Sequence, residues 1–288
     1  MPQALLPLPK TQTLISNDPF LLEGGSILPQ VEISYTTHGF LNADKSNVVW
    51  VFHALTGNAD PTQWWPGLFG NHAIIDLDKD FMICANVLGS CYGTTGPTDF
   101  TFPRISIRDM VSAHQLLKNH LDIQKIKLGI GGSLGGQQLL EWAVQEPSLF
   151  ENINLIATNA QHSPWGIAFN EAQRMALNNV DKSQGLAAAR AIAMLSYRHY
   201  NTFESTQKDE DQRLDDFSAS SYQQYQGFKL DKRFTNESYH YLSKAMDSHN
   251  VGRHGLSIKN ALQRIKSKTM VIGIDTDILF PIQEQQLL

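Results

Sequence analysis

The sequence predicts an α/β fold, in which a mostly parallel sheet is flanked by helices and carries an inserted helical lid. Apolar runs typical of strands alternate with helical patterns along the chain. A Gly-x-Ser-x-Gly motif stands between a strand and a helix, and a long helix-prone stretch precedes the last predicted strand. With 288 residues, of which 42% are hydrophobic, the chain can bury the core of one large domain.

The Gly-x-Ser-x-Gly motif is formed by Gly131, Ser133 and Gly135. The preceding run Lys125–Ile130 is short, largely apolar and rich in isoleucine, which is typical of a buried strand. The following stretch Leu134–Gln145 has apolar residues at helical spacing. A nucleophilic serine on so tight a turn needs neighbours with almost no side chain. We therefore predict Ser133 as a nucleophile; the alternative is a serine that only caps the helix.

The other elements of the sheet follow from hydrophobic periodicity. Continuous apolar runs at Asn47–Ala54 and Phe81–Leu88 predict strands, the first of them covered on both faces. Alternation at Val31–Thr37 predicts an antiparallel strand at the sheet edge. Helical spacing predicts a helix over Ile107–Leu121, and a further strand is expected at Ile153–Thr158.

The composition changes at about residue 161, where the chain becomes more polar and helix-prone. Amphipathic helical pieces lie near Pro164–Asn178, Gln184–Tyr200 and Phe234–Asp247. The charged stretch Lys208–Asp216 predicts a solvated face or loop, and a buried strand returns at Thr269–Ile274. A plain connection would be only a few residues long. We therefore assign residues 161–263 to a lid inserted into a core of residues 1–160 and 264–288.

Charge and composition narrow the range of partners. The net charge of −5 gives no reason to expect nucleic acid or an anionic membrane surface. No stretch approaches the ~18 apolar residues of a membrane span, and the first residues lack the pattern of a signal peptide. We therefore expect a cytoplasmic protein. Cys84 and Cys91 are too few for a disulfide framework, and neither has an adjacent base that would make it a nucleophile.

A serine nucleophile needs an acid–base pair and donors for the oxyanion. Asp277 follows the last predicted strand and is the favoured acid, with Asp275 as the alternative. The backbone N–H of Leu134 and that of Leu55, in the loop after the strand at Asn47–Ala54, are the candidate oxyanion donors. His53 starts that loop, where a structural role is favoured over that of a base.

The general base is missing from its expected place. On such a fold the chain order is serine, acid, histidine. Eleven residues follow Asp277, and none of them is a histidine. All ten histidines lie upstream, the last of them at His254.

Several segments together carry a family resemblance. They are His53–Gly57, Asn86–Pro97, Phe102–Val111, Gly131–Gly136 with Glu141–Ala143, and Asn170–Arg174. In these segments the chain resembles the homoserine O-acetyltransferase family, methionine-pathway acyltransferases on an α/β-hydrolase fold. The Gly-rich stretch Gly89–Pro97, followed by the Phe-Pro segment at Phe102, is far more specific than Gly-x-Ser-x-Gly alone.

The resemblance implies Ser133 as nucleophile, Asp277 as triad acid, and the amides of Leu55 and Leu134 as oxyanion donors. It also implies a substrate-binding arginine in the lid, a position that Arg198 matches; a solvated helix residue is the alternative. The fork of an arginine suits the carboxylate of an amino-acid substrate. The substrates implied are acetyl-CoA and L-homoserine, with no metal or bound cofactor, in a homodimer formed through the lid helices.

Family members continue for several dozen residues beyond the point that matches Leu288. The resemblance places the triad histidine, at least one strand and a terminal helix in that tail, so the sequence is expected to be a fragment or a truncated protein. Four other functions stay open: succinyl transfer, serine as acceptor, an esterase, and an inactive module that only binds CoA.

Overall fold

The structure, a computed structural model, describes residues 10–70, 73–179 and 182–288. The strands are β1 (Lys10–Ser16), β2 (Phe20–Leu21), β3 (Ile27–Leu28), β4 (Val31–His38), β5 (Val48–Phe52), β6 (Phe81–Ala85), β7 (Ile126–Gly132), β8 (Phe150–Ile156) and β9 (Lys268–Ile272). The helices are α1 (Pro61–Trp64), α2 (Ile107–His120), α3 (Leu134–Gln145), α4 (Pro164–Asn179), α5 (Lys182–Tyr197), α6 (Tyr200–Gln207), α7 (Ser218–Asp231), α8 (Asn236–Asp247), α9 (Ile258–Leu262) and α10 (Ile282–Gln285).

Seven strands form one sheet in the order β1-β4-β6-β5-β7-β8-β9. The strands from β6 to β9 in this order are parallel, and β1 and β4 are antiparallel to their neighbours. Every residue of β5, at the centre, is buried, which confirms a strand covered on both faces. The mostly parallel sheet confirms the predicted α/β class.

The predicted edge position of β4 is wrong. β4 lies between β1 and β6, and its burial is nearly continuous from Ile33 to His38. The outer neighbour β1 was not predicted, because its sequence Lys-Thr-Gln-Thr-Leu-Ile-Ser is too polar to give an apolar run. Alternation in one strand shows that it has two unlike faces, but not which other segment pairs with it.

The predicted burial of the last strand is also wrong. β9 is mostly exposed, with Met270 at 56% and Ile272 at 41% of full exposure. Among the described residues β9 pairs only with β8, so it forms an edge of the sheet. Its apolar side chains indicate a strand that suits a covered environment, but the sequence of a strand does not show whether a cover is present.

Six helices, α4 to α9, lie between β8 and β9 in the described chain. Helix α4 packs on α5 and α8, and α5 also packs on α7. Helices α6 and α7 flank the charged stretch Lys208–Asp216, which is an exposed loop as predicted. The limits of the lid at residues 161 and 263 stay a prediction.

An aromatic cluster fills the core behind the sheet. Trp50 and Trp142 are fully buried with an edge-to-face geometry at 5.1 Å, and His114 stacks on Trp142. We expect Trp142→Ala to lower the free energy of unfolding by about 3–5 kcal/mol, because it removes the transfer energy of the ring and leaves a cavity. Urea unfolding at neutral pH measures this change.

The control for that experiment is Phe40→Ala, since Phe40 is 89% exposed. This substitution should change the free energy of unfolding by no more than about 0.5 kcal/mol. Equal losses in the two variants would contradict a core centred on Trp142.

Candidate active site

Ser133 projects from a strained turn between β7 and α3. Its backbone dihedrals are φ 53° and ψ −125°, in a region that residues with a side chain rarely adopt. A Cβ atom at Gly131 would overlap the carbonyl of Gly135, and one at Gly135 would overlap the carbonyl of Phe52. The two glycines of the motif are therefore required by close backbone contacts on both sides of Ser133.

Ser133 opens into a cavity of about 390 Å³ between the sheet and the lid. The core contributes Ala54, Leu55, Thr56, Ser133, Ala157, Ile274, Thr276, Asp277, Leu279 and Phe280. The lid contributes Arg190, Ser196, Tyr197, Arg198 and His199. Of the predicted site residues, Ser133, Asp277, Leu55 and Arg198 line this one cavity.

The two candidate acids differ in position. Asp277 lines the cavity and is half-buried, whereas Asp275 is exposed and does not line it. The Oδ1 atom of Asp277 accepts the backbone N–H groups of Leu279 and Phe280 at 2.8 and 2.9 Å. Burial raises the pKa of Asp277 above its usual range, and these two hydrogen bonds partly oppose the rise.

The backbone N–H groups of the two candidate oxyanion donors have no partner among the described residues; Leu55 lines the cavity, whereas Leu134 is buried beside Ser133 and is not part of the lining. Leu134 is the first residue of α3, and Leu55 lies in the loop that follows β5. Neither backbone N–H donates to another described residue. These two amides have the character needed to stabilise a negatively charged oxygen near Ser133.

His53 holds the Leu55 loop and does not reach the cavity. Its Nε2 accepts the N–H of Val87 at 3.0 Å, and its Nδ1–H donates to the carbonyl of Ala54 at 2.8 Å. Burial lowers the pKa of His53 to about 4, so the ring is neutral at pH 7. With both nitrogens engaged, His53 suits the structural role favoured by the sequence.

Two arginines line the cavity, and the sequence identified one of them. Arg198 is exposed and its guanidinium lies 5.1 Å from the centre of the Tyr222 ring. The residue that was missed is Arg190, which is less exposed and lies over Tyr197 at 5.2 Å. Arg190 and Tyr197 are seven residues apart, so two helical turns place them on one face of α5; this spacing could have indicated Arg190.

Tyr197 connects the arginine to the acid. Partial burial raises the pKa of Tyr197, a residue that is 43% exposed; the guanidinium of Arg190 opposes the rise, and the carboxylate of Asp277 adds to it. Both charges therefore act on the same phenol, in the cavity that all three residues line.

No described histidine hydrogen-bonds to Ser133 or Asp277. Among the described histidines only His199 lines the cavity, and its Nδ1 accepts the N–H of Asn201 at 3.3 Å. His72 lies outside the described residues. The described parts of the chain contain no cluster of three or more potential metal ligands, and none of their helices is long and apolar enough to cross a membrane.

The parallel sheet, the strained serine and the shared cavity define the class of protein. The family described as the alpha/beta hydrolase fold matches residues 47–288. Solved structures with the same fold include esterase E22, with a TM-score of 0.86 and 23% identity, covering 97% of this chain and 89% of that one. The chain is an α/β hydrolase in fold.

More similar proteins define the particular family. A homoserine O-acetyltransferase of Cyclobacterium marinum is 49% identical over 92% of this chain and 81% of its own length. A homoserine O-acetyltransferase of Trichormus variabilis is 45% identical over 93% of this chain and 81% of its own length. The structure of a homoserine O-acetyltransferase from Staphylococcus aureus has a TM-score of 0.86 and 27% identity, covering 98% of this chain and 84% of that one. The chain belongs to the homoserine O-acetyltransferase family and is a transferase.

Proposed function

We propose that this protein transfers the acetyl group of acetyl-CoA to the hydroxyl of L-homoserine. The product is O-acetyl-L-homoserine, an intermediate of methionine biosynthesis. The observation that carries the proposal is the strained Ser133 facing the cavity that Asp277 also lines, in a chain of this family. A covalent acetyl-enzyme on Ser133 gives a ping-pong order of substrates.

In the first half-reaction the Oγ atom of Ser133 attacks the thioester carbonyl of acetyl-CoA. The amides of Leu55 and Leu134 stabilise the resulting oxyanion. The C–S bond then breaks, CoA leaves with the proton that Ser133 gave up, and an ester remains on Oγ. Asp277 is suited to orient the base that carries this proton.

In the second half-reaction the hydroxyl of L-homoserine attacks the acetyl-enzyme. The new C–O bond forms on the substrate, the bond to Oγ breaks, and Ser133 recovers its proton. Either of the two cavity arginines, Arg190 or Arg198, can bind the substrate carboxylate through two oxygens. The lid side of the cavity limits access of water, which would otherwise hydrolyse the acetyl-enzyme.

We further propose that the reaction uses no metal or bound cofactor, because CoA serves as leaving group and the oxyanion donors are backbone amides. We also propose that the protein is a homodimer formed through the lid helices. Its proposed compartment is the cytoplasm. Exposed apolar side chains on these helices support the dimer: Met175, Leu195, Tyr200, Tyr225 and Phe228. Sedimentation velocity of the chain tests it.

The decisive experiment measures free CoA thiol after mixing this chain with acetyl-CoA, with and without L-homoserine. Ser133→Ala serves as the blank, and it also cancels signal from Cys84 and Cys91. Homoserine-dependent CoA release that falls by at least about 10³-fold in the blank, because the nucleophile is lost, would support the proposal. No release above the blank would overturn the proposal for this chain and favour an inactive CoA-binding module.

The same assay separates the alternatives. Succinyl-CoA and L-serine, offered in competition, test the donor and the acceptor. Hydrolysis of p-nitrophenyl acetate without acceptor dependence would favour an esterase, the activity named for the structural relative E22.

A further inference from the structure

A mostly buried line of polar groups runs from the backbone carbonyl of Ser133 to helix α10. Gln137 is one helical turn after Ser133, and its backbone N–H donates to the carbonyl of Ser133 at 3.0 Å. Its Nε2 donates to Oδ1 of Asn159 at 3.0 Å. The Nδ2 of Asn159 then donates to Oε2 of Glu284 in α10 at 2.8 Å. Gln137 and Asn159 are both fully buried.

Helix α10 is in turn fixed to the loop that carries Asp277. The buried side chain of Gln285 accepts the N–H of Ile274 at 3.3 Å and donates to the carbonyl of Phe280. Ile274 and Phe280 flank Asp277 on its two sides, and the N–H of Phe280 also donates to Asp277. Glu284 is near enough that its charge adds to the raised pKa of Asp277.

The burial of these polar side chains costs free energy unless their polar atoms are hydrogen-bonded. A buried carboxamide must satisfy its polar atoms, and an apolar contact of similar shape would stabilise the fold equally well. The Oε1 atom of Gln137 has no partner among the described residues, so the line retains a polar group at a cost. Its two ends are the helix that begins after Ser133 and the helix that fixes the Asp277 loop.

We propose that the Gln137–Asn159–Glu284 bridge, centred on Asn159, positions Asp277 relative to Ser133 for acyl transfer. This inference rests on the proposed function, because it gives the bridge a role in that reaction. The bridge touches neither substrate nor the reacting atoms, so its members are positioning residues. A displacement of the order of 1 Å at a reacting group can lower a rate by about 100-fold.

The test compares three variants at the Glu284 end. Glu284→Ala removes the acceptor for Asn159, whereas Glu284→Gln keeps an oxygen in its place; Gln283→Ala changes the exposed neighbour. We expect Glu284→Ala to lower kcat about 10- to 100-fold, with the KM of both substrates unchanged. Glu284→Gln should keep at least half of the parent kcat. Gln283→Ala should have the same kcat as the parent. Equal kcat values in the alanine and glutamine variants would overturn the proposal.

A second measurement does not depend on turnover. Hydrogen exchange at the amides of Leu279 and Phe280 reports the hydrogen bonds to Asp277. We expect exchange at these amides to be about tenfold faster than in the parent in Asn159→Ala and in Glu284→Ala, and no faster in the double variant than in either single variant. In Glu284→Gln exchange should be as slow as in the parent. Unchanged exchange in both alanine variants would overturn the bridge, whether or not the parent chain releases CoA in the presence of homoserine. Absence of homoserine-dependent CoA release in the parent chain would by itself refute only the proposed function.

Discussion

Where a histidine pairs with Asp277, Asp277→Asn should lower kcat for acetyl transfer by about 10⁴-fold, the size of effect that an amide in place of a triad carboxylate produces. The asparagine keeps an oxygen for the N–H groups of Leu279 and Phe280, so the loop should stay folded. What it loses is the negative charge that orients a base and stabilises its protonated form. The measurement is single-turnover release of CoA, which isolates the formation of the acetyl-enzyme.

Asp275→Asn is the matched control. Asp275 is two residues away, exposed, and absent from the cavity lining, so its substitution should change kcat by less than about twofold, as for a surface residue. Thermal unfolding of both variants checks that the fold is retained. A greater loss in Asp275→Asn than in Asp277→Asn would make Asp275 the acid.

The order of elements around Ser133 could be predicted because each signal is local. A tight turn needs Gly131 and Gly135 whatever the rest of the chain does, and a parallel strand buried on both faces reads as the continuous apolar run of β5. The position of Asp277 at the cavity follows as well, since the carboxyl ends of parallel strands meet at one edge of the sheet.

The features that sequence reasoning missed depend on long-range pairing. β1 covers β4 through backbone hydrogen bonds, which a polar sequence can make as well as an apolar one. Arg190 becomes a cavity residue only because α5 packs across the mouth of the site. The bridge through Asn159 joins residues 125 positions apart, and no spacing in the sequence indicates such a contact.

A fall in pH from 6.5 towards 4 should destabilise this protein through its buried histidines. Among the described histidines, His53, His114 and His249 are nearly or fully buried. Burial lowers the pKa of His53 and His114 to about 4 and that of His249 to about 3. In the unfolded chain the pKa of a histidine is about 6.5, so the unfolded state binds more protons than the folded one between pH 6.5 and about 4.

The sign and size of the effect follow from this difference. The stability that these histidines contribute is fully present above pH 6.5 and is lost as the pH falls towards 4. By pH 5 each histidine should have cost about 2 kcal/mol, and the three together about 6 kcal/mol, a large part of the 5–15 kcal/mol typical of a domain. Burial raises the pKa of Asp109 and Glu141, so the folded state takes up protons at these carboxyls more readily than the unfolded state does, which opposes the loss.

Urea unfolding at pH 7.5 and pH 5.2 measures this loss. His114→Gln removes one buried ring, so the difference in unfolding free energy between the two pH values should shrink by the contribution of that ring, about 2 kcal/mol. His120→Gln changes an exposed histidine and should leave that difference as it is in the parent. Because each variant is compared with itself at two pH values, any loss of packing at His114 cancels. Equal stability of the parent at both pH values would mean that these rings are hydrated in the folded state. A hydrated His53 would contradict its structural role under the Leu55 loop.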